Sequence, residues 1–317
     1  MTEKIVGFSY CLLKTNQEGR TNMPVIQNHA GLALDEVVVA TDFTPESEKA
    51  LAYGRAFAHE FGSKLTLAHV VDLSVSSRYP ANVVGLPLNE MRHDSAENLD
   101  RTLNKLGIDG IIARSQSVEA LNPADAIVEL SEKMDSDLVI IGTHDRQGLS
   151  KLILGSCSEG VIHTARCPVL TIGPKANPHP VDVAFRSIVF ATDLKHNAAE
   201  KAAVALAFAK ESIADVHICH VIENHLDSSA QAVQEHARVE QALSKLIPDA
   251  SYTWTNPKPS VLFGNVDQQI LKVAANTNAD LIVLGAHRGA RCANHLWCGV
   301  VESVIREAHC PVLTICT

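Results

Sequence analysis

The stretch Gly142–Ile172, GTHDRQGLSKLILGSCSEGVIHTARCPVLTI, closes an apolar run with a glycine. A polar loop, a Gly155-Ser156 step, a helix-like segment and a Cys-Pro before Val-Leu-Thr-Ile follow. The same design returns at Gly285–Ile315, GAHRGARCANHLWCGVVESVIREAHCPVLTI, with Cys298-Gly299 in place of the glycine-serine step. A design met twice points to duplication. Working outward, VVVATD (Val37–Asp42) matches IVFATD (Ile188–Asp193), and SDLVIIGTH (Ser136–His144) matches ADLIVLGAH (Ala279–His287), in the same order. The repeated unit is therefore a whole domain rather than a short solenoid repeat. Between the copies lies a segment with Pro174, Pro178 and Pro180 and no helical pattern, which reads as a connection. The expected division is a poorly ordered leader over 1–31, a first domain over 32–173, a linker over 174–186 and a second domain over 187–317.

Each copy alternates strand and helix. In the first, strands are expected at Glu36–Thr41, Lys64–Val70, Gly110–Arg114, Leu138–Gly142 and Val169–Ile172. Helices are expected at Pro45–Phe61, Asn89–Leu106, Pro123–Met134 and Ser156–Ala165. In the second copy the strands fall near 187–192, 214–221, 250–254, 281–285 and 311–315. Strict βαβα order with strands rich in Val, Ile and Leu means a parallel sheet covered by helices on both faces. The fold class is thus α/β, two flavodoxin- or Rossmann-like domains, each a five-stranded, doubly wound parallel sheet.

The bulk numbers fit. The 317 residues carry 46% apolar and 20% charged side chains, a globular balance. A formal net charge of −9 argues against a large cationic face for nucleic acid or anionic lipid. No apolar run approaches the roughly 18 residues of a membrane span. The N-terminus makes a poor signal peptide, so the eight cysteines are read as free thiols in a reducing cytoplasm.

Ligands of open parallel sheets bind beyond the carboxyl ends of the strands, where strand order reverses. Asp42, the His69-Val70 pair and Gly142 end strands there. Gly155 lets a ligand approach the backbone, and the helix from Ser156 points free N–H groups at the same spot, a natural place for phosphate. Simpler readings compete. Ser156-Cys157-Ser158-Glu159 has the pattern of a capping box, and Asp42 is suited to capping the helix after its strand. His69 and His220 read as packed or hydrogen-bonded histidines, and Cys167 and Cys310 as buried, inert thiols. The spacing of Cys292, His295 and Cys298, with His287 nearby, is not that of a standard zinc module, and no zinc is expected there.

Gly142-x-x-Asp145, nine residues, then Gly155-Ser156 resembles the G-x-x-G-x9-G-[S/T] loop of the universal stress protein family. ATDFTPES (Ala40–Ser47), HVVD (His69–Asp72) and CPVLTI also fit, once per half from residue 36 onward. The resemblance implies ATP binding, with Asp42 and Val70 on the adenine and ribose side, Ile141 against the nucleoside, and Gly142, Gly155, Ser156 and Ser158 at the phosphates. It also implies that the last strands of the two halves pair edge to edge, an intrachain pseudo-dimer open to further homodimerisation. Asp145 departs from the family's second glycine. A carboxylate there either turns outward, where Arg146 and Lys151 offset it, or helps hold a Mg²⁺ bridging phosphates. In the second half, Arg288 and Cys298-Gly299 depart further, so at most one phosphate-bearing ligand per chain is expected. The leading reading is a nucleotide-binding module acting through protein partners. The alternatives are a slow ATPase or self-phosphorylating enzyme, for which no Walker lysine is present, and a structural or redox adaptor that binds no nucleotide.

Overall fold

Runs of Val, Ile and Leu form the strands, because residues buried on both faces of a parallel sheet need no polar alternation. The computed structural model describes residues 32–74, 85–143, 154–178, 180, 182–195, 197–223, 229–286 and 296–316. The first half runs β1 (Glu36–Ala40), α1 (Pro45–Phe61), β2 (Lys64–Asp72), α2 (Gly85–Ile108), β3 (Ala113–Ala120), α3 (Pro123–Lys133), β4 (Leu138–Gly142), α4 (Ser156–Thr164) and β5 (Val169–Ile172). The second repeats the order: β6 (Ser187–Ala191), α5 (Ala198–Ser212), β7 (Asp215–Ile222), α6 (Ser229–Lys245), β8 (Lys258–Phe263), α7 (Val266–Asn276), β9 (Leu281–Ala286), α8 (Leu296–Glu307) and β10 (Val312–Cys316). Helix boundaries follow local chemistry. Thr44 caps α1 by accepting from the Ser47 amide, Pro45 fills the first turn, and Gly62 ends the helix at φ 68°.

The strands make one sheet in the order β3-β2-β1-β4-β5-β10-β9-β6-β7-β8. Pairing is parallel within each half and antiparallel at the junction, where Leu313 faces Leu170 between the Val312–Thr171 and Thr314–Val169 pairs. The edge pairing expected of the last strands is therefore present. It removes two unpaired edges at once, and the Thr314 hydroxyl adds a bond to the Val169 carbonyl at 3.2 Å. The register places a pseudo-two-fold axis beside the Leu170–Leu313 pair.

The repeated aspartate before β4 and β9 has a structural task. Asp137 Oδ2 accepts from the amides of Asp35 and Glu36 at 2.8 and 3.0 Å, and Asp280 Oδ2 accepts from those of Arg186 and Ser187 at 2.8 and 3.1 Å. Each carboxylate pins the entrance of its half's first strand.

Two apolar layers sandwich the sheet, and both run across the junction. One holds Phe57, Leu99, Phe208 and Leu243, from α1, α2, α5 and α6. The other holds Ile127, Ile162, Ile270 and Ile305, from α3, α4, α7 and α8.

Two strands differ from expectation. The strand expected at Gly110–Arg114 is β3, Ala113–Ala120. As an edge strand it pairs with β2 alone, and its sequence ARSQSVEA alternates exposed and half-buried residues, so no apolar run marks it. The strand expected near 250–254 is a 3-10 turn, Asp249–Thr253, and the true strand is β8 further on. The Ser251 amide bonds the Pro248 carbonyl at 2.8 Å to start that turn, and Trp254 packs against the core from its end. Pro259 hid β8, yet an edge strand tolerates proline. The connecting segment is also more than a tether: Ala176, Val183 and Phe185 are buried in the first apolar layer. The Phe185 ring lies 6.3 Å from Phe57 of α1 and 6.2 Å from Phe208 of α5.

Candidate crevice at the strand-order reversal

In the first half, strand order reverses between β1 and β4, and the chain leaving β1 builds one wall of the crevice there. Thr41 Oγ1 accepts from the Phe43 amide at 3.1 Å and lies 3.2 Å from Ser47 Oγ. Asp42 Oδ1 accepts from the Thr44 amide and hydroxyl at 3.2 and 2.6 Å. This local network turns the backbone sharply, with Phe43 at φ 62°, and orients the Asp42 carboxylate on an exposed rim. His69 Nδ1 donates to the Thr41 carbonyl at 2.8 Å, with its ring 4.6 Å from that of Phe43. A histidine so engaged is part of the wall.

The opposite wall is the start of α4. Its N-cap is Gly155, with no side-chain cap, and Ser156 is the first helical residue and exposed. The capping box does not form, because Ser156 sits one position too late to serve as the cap. Ser158 is buried, and its hydroxyl donates to the Gly142 carbonyl at 3.1 Å, tying α4 to the end of β4. Val70 is half-buried on β2, and Ile141 is buried on β4 within the second apolar layer. Asp145, Arg146 and Lys151 lie outside the described residues, as do His287, Arg288, Cys292 and His295.

The two glycines have different reasons to be glycine. A Cβ at Gly142 would stand 2.3 Å from the Glu46 carbonyl oxygen, so the first turn of α1 rests directly on this residue. A Cβ at Gly155 would meet none of the described residues within 4 Å. Gly142→Ala should therefore destabilise the fold by about 1–3 kcal/mol, the usual range for overpacking, while Gly155→Ala should cost about 1 kcal/mol or less. Urea denaturation of the two variants checks this, and equal losses would mean that the α1 contact yields.

Burial pushes the Cys157 thiol up to about 11, with the charges of Asp42 and Asp72 adding to the effect. A thiol raised this way is about a thousandth thiolate at pH 8, so native-state alkylation should be slow and climb about tenfold per pH unit up to pH 10. Peptide mapping after iodoacetamide treatment checks it, and rapid labelling at pH 7.5 would contradict it.

The second half copies the first wall. The Leu194 amide donates to Thr192 Oγ1 at 3.0 Å, the Lys195 amide to Asp193 Oδ1 at 3.0 Å, and His220 Nδ1 to the Thr192 carbonyl at 2.8 Å. Its crevice is lined by Asp193, Val221, Leu284 and Gly285, and also by Lys201, which is only 3% exposed. Burial pulls the Lys201 ammonium below the usual lysine range, and the charge of Asp193 opposes that. Sequence reasoning passed over Lys201. The available signal was a lone cation on the buried stripe of an alanine-rich helix, one residue before Ala202.

The model of the universal stress protein family matches residues 34–173 and again 184–315. The chain belongs to the universal stress protein family. A universal stress protein of Methanocaldococcus jannaschii, MJ0531, is 30% identical over 149 residues, covering 47% of this chain and 86% of the relative. A tandem-length match is Mycobacterium tuberculosis universal stress protein Rv2005c, 25% identical over 289 residues, or 87% of this chain and 95% of the relative. The crystal structure of a universal stress protein from Archaeoglobus fulgidus superposes with a TM-score of 0.67 at 22% identity, covering 88% of this chain and 97% of that one. This last likeness concerns the fold alone. Among the described residues of this tandem universal stress protein, no helix is long and apolar enough to cross a membrane.

Proposed function

We propose that the first universal stress protein domain binds an adenine nucleotide, ATP, and that protein partners read its loaded state in a stress response. The observation that carries this reading is the uncapped start of α4. Among the described residues nothing fills the Gly155 Cβ position, no side chain caps the helix, and the charge of Asp42 adds to the raised pKa of the adjacent Cys157 thiol. A nine-residue helix that starts without a side-chain cap favours an anion at its N-terminus.

In this reading the phosphates lie against Gly155 and Ser156, with Gly142 and Ser158 fixing the loop ends. Asp42 and Val70 flank the nucleoside, and Ile141 supports it from within the core. A Mg²⁺ accompanying the phosphates belongs to the same proposal, with Asp145 as the residue expected beside it. Burial pushes the thiols of Cys167, Cys219 and Cys310 up to about 12, so these three are poor nucleophiles for a redox adaptor.

The test is mass analysis of ligand released on denaturing freshly purified protein, followed by calorimetric titration with ATP and Mg²⁺. One ATP per chain supports the reading. No carried ligand and no binding support the structural adaptor, and multiple turnover in a phosphate-release assay supports the slow ATPase.

A further inference from the structure

Eight residues after Asp42 on α1 stands Ala50; eight residues after Asp193 on α5 stands Lys201. Both are buried, so the two halves face the sheet with the same helix position. Ala50 ends at Cβ. Lys201 extends three further methylenes and an ammonium from one face of the sheet toward the strand ends. Its Nζ is 2.8 Å and its Cδ 3.0 Å from where a Gly285 Cβ would stand. At the matching place in the first half, Gly142 is met by the Glu46 backbone, and Ala50 is not among its nearest neighbours. Among the described residues, Asp193, Val221 and Leu284 line that second crevice with Lys201, while Ile270 and Val301 reach it from α7 and α8. The space left is about 30 Å³, room for a water or two and far short of a nucleoside.

We infer that Lys201 is an internal plug, whose side chain fills the second crevice at the strand-order reversal and keeps nucleosides out of it. This rests on the reading of the first crevice as a nucleoside site. Loss of the glycine-serine step removes phosphate recognition; Lys201 separately removes the room for the base and sugar. A ligand entering would have to displace a buried ammonium from beside the Asp193 carboxylate, which is costly in a low-dielectric site. The exclusion is thus built into the protein as a repulsive element rather than left to a missing contact.

The experiment uses adenosine, which needs no phosphate cradle, on the full chain as wild type, Lys201→Ala and Lys201→Met. Methyl resonances of Val221, Leu284 and Ile270 report the second crevice, and those of Val70 and Ile141 the first. Lys201→Ala should bring the second set into fast or intermediate exchange with adenosine, with affinity roughly tenfold or more above wild type there. Lys201→Met keeps the volume without the charge, so its second crevice should stay closed. Second-crevice resonances that remain unmoved in natively folded Lys201→Ala, or that move equally in wild type, overturn the plug. Opening in Lys201→Met as wide as in Lys201→Ala overturns its steric basis. If the first-crevice methyls stay silent in every variant while Lys201→Ala opens the second, the plug stands and the reading of the first crevice fails.

Discussion

Gly155→Val abolishes ATP binding and leaves the fold standing: that is the expected result with the largest effect on function. Gly155 has φ −61° and ψ 141°, an extended conformation that a β-branched residue adopts readily. Among the described residues no atom lies within 4 Å of its Cβ position, so the added methyls project from that open side into the space assigned to phosphate. The penalty to the helix start is about 1 kcal/mol or less. The penalty to the ligand is the loss of several charge-assisted bonds to the α4 amides, each worth about 1.5–3 kcal/mol. A weakening of at least about a hundredfold in Kd follows, or about 3 kcal/mol. Calorimetric titration with ATP and Mg²⁺, read beside a thermal melt, separates the two effects. Unchanged binding in a folded variant would remove phosphate from this helix end.

Phe185→Ala should cost about 3–5 kcal/mol of stability, the range for deleting a buried phenyl ring. Phe185 lies in the stretch joining the two halves, where a passive tether would tolerate any residue. Instead it is 4% exposed and completes a triangle of rings with Phe57 and Phe208, which are themselves 6.4 Å apart. Truncation opens a void among rings carried by helices of both halves, and the continuous sheet limits how far they can close over it. Urea denaturation followed by circular dichroism measures the loss. A change below about 1 kcal/mol would return this segment to the status of a loose connection.

The central strands could be read from sequence because burial on both faces leaves only one solution, a run such as Val37–Val39 or Leu281–Leu284. The junction came from the family resemblance, supported by the unpaired edge that each copy's last strand would otherwise leave. The outer strands were harder. Each of β3 and β8 pairs on one side only, and half-exposed residues carry no such pattern, so both strands were expected in the wrong place. At the crevice, the turn residues Asp42 and Gly142 could be found from their positions after strands. Their contacts could not. That Gly142 carries α1 on the Glu46 carbonyl, that Ser158 faces Gly142, and that Lys201 crosses to Gly285 all depend on which side chain is nearest across a fold. Sequence spacing within one element does not carry that information.

The antiparallel meeting of β5 and β10 has a consequence for inheritance. When two separate, identical chains meet edge to edge, every substitution strikes both faces, and neither can change alone. Here the partners share one chain, so Lys201 can stand where the first half has Ala50, and Cys298-Gly299 where it has Gly155-Ser156. Because the junction reverses strand direction, the two sets of strand ends also point opposite ways. The result is a particle whose two sets of strand ends are chemically different.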